Sequence, residues 1–375
     1  MEAPKPTKVP TRDYQSYSNT PWNIFQTLYA RRSHRKYLPS PNGEEFAGEL
    51  SALLDLACEV RGASRASIMA ITDPGLVDVS KRAAYKGVSG KINMWLPRAP
   101  LSALLLIDLP SADVRAGRPV ELPKAVMAVQ DAVLWMTERG LGTCWLAGVN
   151  QRELVKAASL GDGRSVPVII SIGRPALDAP RTVSYGGISY KMMSRRRKPI
   201  SRIACLENAG SPYPVTDIAP VRFEADSSGI EGLLKSIRDG HGLMVSRASA
   251  ELALDACLEG ARVAPSGNNA QDWLFIVLRD GKRLSRLAGL CGMEVADPPK
   301  MAIVAAGHAW KFEKLMLDRP FWDIDVPIAM SNISLVATSA GYTVDARTGG
   351  IDEAGIRGLV NLPSAMRVVG VTGLT

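Results

Sequence analysis

Apolar and polar positions follow the same order in the two parts of the chain. Apolar residues at helical spacing run from Glu49 to Val60 and again from Ala248 to Val263. Each run is followed by a short apolar segment, Ser67–Asp73 in the first part and Asp272–Gly281 in the second, and both predict a buried strand. The repeated order predicts two copies of one unit that combines helices with strands.

The agreement between the two parts continues toward the end of each copy. An apolar segment that predicts a central strand is followed by a long helix that ends at glycine and then by a β-rich run. These segments are Leu101–Pro110, Ala125–Gly140 and Ser165–Pro175 in the first copy, and Pro299–Trp310, Pro327–Gly341 and Met366–Gly373 in the second. We therefore predict an α+β fold with a mixed or antiparallel sheet, flanked by helices, in each copy.

A segment rich in proline, glycine and serine, 207–229, separates the two copies and is typical of a linker. The organisation that follows is an N-terminal arm over residues 1–21, a first half over 22–206 and a second half over 230–375. Two pseudo-symmetric halves in one chain would mimic a homodimer, so we expect a monomer in solution.

Composition limits the class of protein. The chain has 375 residues, of which 46% are hydrophobic and 22% charged, so it can bury a full core. Five cysteines are scattered without CxxC pairs, which favours a reducing compartment and predicts neither disulfides nor a metal site. No segment has the apolar length of a membrane span or signal sequence, so we expect a cytoplasmic protein without a membrane partner.

The formal net charge of +8 raises the question of a nucleic-acid partner. The dense basic runs are RRSHRKY (31–37) and RRRK (195–198), and neither is interleaved with aromatic residues as in nucleic-acid motifs. We expect no nucleic-acid partner. On residue types alone, both runs are also typical of a solvated basic surface.

Two unusual stretches have no equivalent in the other copy. RRSHRKY belongs to the first half, and its counterpart in the second, IRDGHGL (237–243), lacks the serine and most of the charge. APSGNNAQDW (264–273) belongs to the second half, and its counterpart in the first, RGASRAS (61–67), lacks the proline, both asparagines and the tryptophan.

Together these stretches resemble the FMN-dependent nitroreductase family, in the form of a tandem fusion of two nitroreductase-like halves. The residues that match the family motifs are Arg31, Arg32, Ser33, Arg35 and Tyr37 (for phenylalanine); Ala264, Pro265, Ser266, Asn269, Gln271 and Trp273; Gly140, Leu141, Gly142, Trp145 and Gly148; and Arg195, Arg197, Lys198 and Pro199. Gly267 and Asp272 depart from the pattern. The resemblance covers nearly the whole chain after residue 21, and its two sharp motifs are specific only in combination.

The resemblance implies one FMN per chain at the junction of the halves, because each half keeps only one of the two motifs. The flavin phosphate carries nearly two negative charges, which arginine and a serine hydroxyl can meet with charge-assisted hydrogen bonds. By family position Arg31, Ser33 and Arg197 would bind the phosphate, with Arg195 in reserve. Arg35 would stabilise negative charge near flavin N1 and O2.

The family position also implies contacts with the flavin ring and its ribityl chain. Arg32 would lie near the ribityl and the ring edge, and a backbone N–H of the segment Leu146, Ala147 and Gly148 would face N5. The loop residues expected to contact ring and ribityl oxygens are Pro265, Ser266, Gly267, Asn269 and Gln271.

Several residues have two interpretations at this point. Asp272, in place of a family proline, adds a negative charge that could weaken FMN binding or point to solvent. Trp145 and Trp273 are more typical of a core than of a flavin contact, and Cys144 is interpreted as a packed thiol. The segment 183–194 could form a lid over the flavin or an ordinary surface loop.

The resemblance implies an oxidoreductase in which NAD(P)H reduces FMN, and a small organic acceptor of nitroaromatic, quinone or enone type then takes two electrons in a ping-pong cycle. No protein side chain is required as an acid or base in this scheme. A different class of function is a non-reductase FMN-binding protein for storage, sequestration or sensing. A flavin-dependent dehydrogenase or a flavin-consuming enzyme on the same fold is a related option.

Overall fold

The fold is given by a computed structural model that describes nine parts of the chain. They are residues 23–39, 43–86, 93–115, 120–176, 197–214, 228–240, 247–294, 297–308 and 322–375. The predicted arm, the segment 183–194 and Arg195 lie outside these ranges.

Helices and strands are both abundant in the described residues. The helices are α1 (Ile24–Ala30), α2 (Glu44–Arg61), α3 (Pro74–Tyr85), α4 (Ser111–Arg115), α5 (Glu121–Glu138), α6 (Gln151–Ala157), α7 (Gly229–Arg238), α8 (Ala250–Val263), α9 (Gly281–Cys291), α10 (Trp322–Ser339) and α11 (Glu353–Leu359). The strands are β1 (Ile68–Ile71), β2 (Ala103–Pro110), β3 (Gly142–Leu146), β4 (Arg164–Gly173), β5 (Ala204–Leu206), β6 (Trp273–Leu278), β7 (Met301–His308), β8 (Val344–Arg347) and β9 (Met366–Leu374).

The strands form two sheets of related topology. The first has the order β1-β2-β4-β3 and is antiparallel throughout. The second has the order β5-β6-β7-β9-β8, and its last four strands are antiparallel in the equivalent order. The predicted α+β class, with an antiparallel sheet in each half, is confirmed.

Strand β5 joins the two halves. By sequence it closes the first half, yet it pairs in parallel with β6 and forms the edge of the second sheet. The chain therefore crosses from the first half onto the second before residue 206. The exact domain boundaries remain a prediction.

Two central helices form the middle of the molecule. Helix α5 packs on strands of the first sheet, α10 packs on strands of the second, and the two helices contact each other. Every residue from Asp323 to Ser339 in α10 is buried. Complete burial is what an all-round apolar helix predicts. Even so, no helix in the described ranges is both long and apolar enough to cross a lipid bilayer.

The contact between α5 and α10 is reciprocal. Gln130 on α5 donates from Nε2 to Asn332 Oδ1 on α10 at 3.0 Å. In the neighbouring pair the donor lies on the other helix: Ser331 Oγ on α10 donates to Asp131 Oδ1 on α5 at 2.7 Å. Adjacent positions that exchange partners in this way are the pattern of a two-fold interface between equivalent helices.

Asp131 also carries a buried ion pair. Arg61, the last residue of α2, donates to it from Nε at 2.8 Å and from Nη2 at 2.9 Å. The two side chains are only 2% and 0% exposed. On the other side of the interface, Asn332 Nδ2 donates instead to Gly260 O of α8 at 2.9 Å. The central helices α5 and α10 are thus tied to α2 and α8, the second helix of each half.

The first helix of each half packs against the other half. Helix α1 contacts α8 and α10, while α7 contacts α2 and α5. This exchange brings the C-terminal end of α1 next to α8, the helix that leads into the APSGNNAQDW loop. The halves are therefore intertwined and share one continuous core.

Glu138, at the end of α5, connects these exchanged helices. Its carboxylate accepts from Thr27 Oγ1 of α1 at 3.0 Å and from the Ile230 N–H of α7 at 3.2 Å. Burial raises the pKa of Glu138 to about 7, against the opposing effects of these two hydrogen bonds and of the neighbouring Arg139. The group therefore changes charge near neutral pH at a junction of three helices.

We predict that Glu138→Gln flattens the dependence of stability on pH. Because the folded pKa of Glu138 is raised above the unfolded value of 4.5, its contribution to stability is present below pH 4.5 and is lost as pH rises through about 7. Between pH 4.5 and pH 8 the free energy of unfolding of the variant should rise relative to that of wild type by on the order of 3 kcal/mol. Urea unfolding across this range measures the effect. The exposed Glu49→Gln is the control, and parallel curves for wild type and Glu138→Gln would contradict the assignment.

Candidate functional site

The RRSHRKY segment follows α1 and runs in extended conformation beside β3. Ser33 forms a parallel bridge with Thr143, and the His34 N–H donates to Thr143 O at 2.9 Å. Further along, Tyr37 forms an antiparallel bridge with Pro175, just after β4. Backbone hydrogen bonds thus fix the segment at the edge of the first sheet.

Tyr37, which replaces the phenylalanine of the family motif, is buried with its hydroxyl satisfied. The hydroxyl lies 2.8 Å from His34 O, to which it donates, and 2.9 Å from Ser171 Oγ. Burial raises the pKa of Tyr37 well above its usual value, so the phenol stays neutral. A tyrosine is accommodated at this position because His34 O and Ser171 Oγ both form hydrogen bonds with its buried hydroxyl.

Gly142 of the GLGxxW turn and Gly173 at the end of β4 are required by the close approach of this segment. A Cβ at Gly142 would lie 2.8 Å from Pro175 Cβ and 3.0 Å from His34 Cγ. A Cβ at Gly173 would lie 2.9 Å from the Tyr37 ring. Any side chain at either position would push the RRSHRKY segment away from the sheet.

The arginines of the segment create a positive potential at an accessible surface. Arg32, Ser33 and Arg35 are exposed, and Arg31 is half-buried. Burial, together with the charges of Arg31 and Arg32, lowers the pKa of His34 to about 4. A neutral histidine among exposed guanidinium groups leaves a cluster that favours an anion.

Cys144 lies under this cluster, on β3. Burial raises the pKa of the Cys144 thiol, although Arg35, Arg31 and a hydrogen bond from Ser33 act in the opposite direction. Its 1% exposure leaves almost no surface for reaction. These facts support the interpretation of Cys144 as a packed thiol. The same electrostatic contacts place Arg31, Ser33 and Arg35 near Cys144 of β3.

The segment Leu146–Gly148 begins with the last residue of β3 and continues into the turn that follows. Leu146 is buried, whereas Ala147 and Gly148 are half-buried. Asn93, which the sequence analysis missed, donates from Nδ2 to Gly148 O at 2.9 Å and so fixes the turn. Strand β3 pairs with Ser33 through Thr143 and ends in this turn. Both groups of predicted site residues therefore lie along the β3 edge of the first sheet.

The APSGNNAQDW loop has an unusual backbone. A 3-10 turn covers Gly267–Asn269, and Asn268, Asn269 and Gln271 have positive φ angles of 50°, 55° and 54°. Left-handed backbone is tolerated by asparagine but is rare for glutamine, and each such residue costs about 1–3 kcal/mol. Strain of this kind persists only where the surroundings fix the chain, and it is concentrated at functional sites.

Interactions within the loop use the side chain of Gln271. The Gln271 N–H donates to Ser266 Oγ at 3.1 Å, and its side-chain Nε2 donates to Asn269 O at 3.1 Å. Gln271 is fully buried, whereas Ser266, Gly267 and Asn269 are half-buried. This placement favours a loop-shaping role for Gln271 over the predicted direct contact with a flavin. The buried Pro265 lies beside the accessible part of the loop.

The tail of the first half reaches this loop. Arg197 donates to Val263 O at 3.1 Å and to Ala264 O at 2.5 Å, at the C-terminal end of α8. The next residue, Lys198, donates from its backbone N–H to Gln271 Oε1 and from Nζ to Gln271 O, both at 2.7 Å. The two halves therefore meet at both ends of the loop.

Asp272 forms an ion pair with this tail. Its carboxylate lies 3.5 Å from Lys198 Nζ, and the Asp272 side chain is 20% exposed. The residue that departs from the family pattern is therefore matched by a cation from the first half. Asp272 is therefore paired with Lys198 instead of pointing freely to solvent, and its effect on FMN binding stays a prediction.

A hydrogen bond between the halves brings the two motifs to the same end of the molecule. Tyr29, in the last turn of α1, donates to Glu259 Oε1 of α8 at 2.8 Å. RRSHRKY begins one residue after α1 ends, and the APSGNNAQDW loop begins one residue after α8 ends. The structure thus brings the C-terminal ends of α1 and α8, from which the two segments start, to the same end of the molecule, although the segments are more than 200 residues apart in sequence.

The two tryptophans of the motifs differ in burial. Trp273 begins β6, is 4% exposed and has its ring 6.1 Å from that of Phe275, which supports the core interpretation. Trp145 on β3 is half-buried.

The pseudo-symmetric position has different features. Helix α7 continues to Arg238, so the residue after the helix is Asp239, where the first half has Arg31. This result shifts the predicted counterpart IRDGHGL by two residues. In the first-half loop after α2, Gly62 is left-handed, and Arg65 pairs with Asp55 at 2.8 Å. The described part of this position therefore carries an acidic residue where the first site has its leading arginine.

Comparisons with known proteins give two family matches. Residues 125–224 match the family described as "Putative TM nitroreductase", and residues 250–326 match the nitroreductase family. The chain has two nitroreductase-like regions. The first contains the GLGxxW turn and the basic run, and the second contains the APSGNNAQDW loop. At the level of the family, these matches support an oxidoreductase.

Solved structures of nitroreductases are similar at low identity. A nitroreductase family protein from Clostridium novyi NT is 17% identical, with 41% of this chain and 87% of that chain covered and a TM-score of 0.33. An FMN-dependent nitroreductase from Clostridium difficile R20291 is 20% identical, with 44% and 94% covered and a TM-score of 0.32. No curated protein matches the chain. The family assignment of this nitroreductase-like chain therefore rests on the two family matches.

Proposed function

We propose that the protein is an FMN-dependent oxidoreductase with a single flavin between its two halves. The observation that carries the proposal is the juxtaposition of an exposed arginine cluster, 31–35, with the strained loop 264–271 of the other half. The effect of Arg31 and Arg32 on the pKa of His34 supports an accessible positive potential where a phosphate would bind. The matches of residues 125–224 and 250–326 to nitroreductase families support a cofactor site of this family to which both halves contribute.

Arg31 and Ser33 are the main phosphate ligands in this proposal. Ser33 is an exposed residue, and Arg31 lies near it in sequence at the end of α1. Arg197 commits two N–H groups to the carbonyls of Val263 and Ala264, so its contribution to the phosphate is secondary. Arg195 keeps the reserve role given by family position.

The remaining residues bind and orient the ring. Arg35 provides positive charge at the pyrimidine edge, Arg32 lies near the ribityl chain, and the turn Leu146–Gly148 offers a backbone N–H whose position Asn93 fixes. The half-buried loop residues Ser266, Gly267 and Asn269 face the ring from the other half. When bound, FMN supplies the acceptance and donation of a hydride.

The proposed reductant is NAD(P)H, and the proposed acceptor is a small organic molecule of nitroaromatic, quinone or enone type. The support for an NAD(P)H-dependent reductase is the family match of both regions. One site per chain follows from the loss of the arginine and of the strained loop at the pseudo-symmetric position. Because the chain already supplies both halves, we propose a monomer.

The test is an anaerobic titration of the purified protein with NADPH and then NADH. We expect one FMN per chain and bleaching of the oxidised-flavin absorption band at about one equivalent of reductant. Two flavins per chain would show that the single-site proposal is wrong. A flavin that is bound but does not bleach with either nucleotide would favour the storage, sequestration or sensing alternative.

A further inference from the structure

The loop Gly267–Gln271 has an unfavourable backbone. Asn268, Asn269 and Gln271 all have left-handed φ angles. The hydrogen bonds inside the loop, from the Gln271 N–H to Ser266 and from its side chain to Asn269, are neutral and local. Stronger interactions from outside the loop are therefore needed to hold this conformation.

Asp325 provides one such interaction. It lies in the first turn of α10 and is 6% exposed. Both of its carboxylate oxygens accept from the Gly267 N–H, at 3.0 and 2.9 Å. A hydrogen bond from a backbone N–H to a buried carboxylate is stronger than one between neutral groups. Asp325 therefore fixes the first residue of the 3-10 turn from the interior of the second half.

Lys198 provides the second interaction, from the first half. Its ammonium donates to Gln271 O at 2.7 Å and lies 3.5 Å from the Asp272 carboxylate. Gln271 is the last left-handed residue of the loop, so Lys198 holds the chain where it enters β6. The loop is thus fixed at its start by one charged residue and at its end by another.

We propose that Asp325 and Lys198 are positioning residues, which hold the loop 266–271 in the conformation that receives the flavin ring. The identity of the ligand rests on the proposed function, whereas the holding of the loop rests on the contacts of Asp325 and Lys198 alone. Asp325 lies outside the family motifs. Lys198 matches the late basic run of the family, but it is not among the residues expected to contact the cofactor.

The first half contains a matched control. There the loop after α2 is held in a similar way, because the Ser64 N–H donates to the carboxylate of Glu121 in the first turn of α5. That loop lacks the left-handed asparagines and glutamine. Glu121→Ala therefore removes an equivalent carboxylate from an equivalent place without touching the proposed flavin loop.

Hydrogen exchange of the flavin-free protein tests the proposal directly. We expect Asp325→Ala and Lys198→Met to accelerate exchange in peptides that cover 264–272 by about tenfold, while peptides from α9 stay unchanged. Asp325→Asn keeps one acceptor oxygen but loses the charge, so it should fall between wild type and Asp325→Ala. Lys198→Arg keeps a cationic donor and should stay close to wild type. Glu121→Ala should change exchange near Ser64 and not in 264–272.

FMN titration of the same variants separates the holding of the loop from the identity of the ligand. We expect Asp325→Ala and Lys198→Met to bind FMN about tenfold more weakly, with Asp325→Asn between Asp325→Ala and wild type and Lys198→Arg near wild type. Unchanged exchange in 264–272, or faster exchange with unchanged FMN affinity, would overturn the positioning role. If wild type binds no FMN, the proposed function fails, and the exchange data alone then decide whether Asp325 and Lys198 hold the loop.

Discussion

Replacing Asp131 by alanine is expected to lower the free energy of unfolding by about 3–5 kcal/mol. The physical reason is that the Arg61 guanidinium would remain charged in the core after losing both hydrogen bonds to the carboxylate. The two side chains are 2% and 0% exposed, so solvent cannot replace the lost partner. Ser331 would also lose its acceptor. Urea denaturation, with the midpoint compared at constant m-value, measures the loss.

A combined replacement is the control for this prediction. Arg61→Met with Asp131→Leu removes both charges together, and Ser331→Ala removes the hydroxyl that would otherwise lack an acceptor. Replacing a buried ion pair by apolar residues of similar volume is often neutral or stabilising, so the triple variant should recover most of the stability. A loss of less than about 1 kcal/mol for Asp131→Ala alone would mean that water reaches the Arg61 side chain.

The ion pair also marks an asymmetry in the core. On α5 the central acceptor is the carboxylate of Asp131, whereas the reciprocal position on α10 is the neutral amide of Asn332. The site shows a parallel asymmetry, because the residue after α1 is Arg31 and the residue after α7 is Asp239. The two halves have kept the same framework of helices while their charged residues differ.

The fold was largely predictable from the sequence because its long elements have clear apolar patterns. Helix α8 and strands β2 and β7 follow their predicted segments closely. Strand β3 was missed, since its sequence GTCWL opens with glycine, which is disfavoured in strands. Helix α10 begins at Trp322, before the predicted start at Pro327, because buried packing against α5 overrides the proline.

The candidate site was only partly predictable. The arginine cluster and the loop have local sequence signatures, and the structure places both at the same end of the molecule. The roles of Asp325 and Lys198 could not be read from the sequence, because Asp325 lies 58 positions from Gly267, and Lys198 meets Gln271 across 73 positions. Such pairings arise only when tertiary packing brings the elements together.

Replacing Arg31 and Ser33 by alanine together is expected to abolish stable flavin binding while the fold is retained. Each charge-assisted hydrogen bond to a phosphate contributes about 1.5–3 kcal/mol, so loss of two weakens FMN binding by about 10²–10⁴-fold. Ser33 is exposed and Arg31 half-buried, which limits the cost to packing. Fluorescence titration with FMN gives the affinity, and circular dichroism checks the fold.

The matched control makes the same two kinds of substitution in the second half. Ser236→Ala with Arg238→Ala changes the end of α7, which is the counterpart of α1, and removes one positive charge as well. If one composite site binds the flavin, this control keeps the wild-type affinity, because Arg238 is the last residue of α7 and Asp239 occupies the position that corresponds to Arg31. Full flavin in the Arg31 and Ser33 variant would instead mean that the phosphate is bound elsewhere. The basic run 195–198 would then be the place to look, since it is the other dense source of cations in the chain.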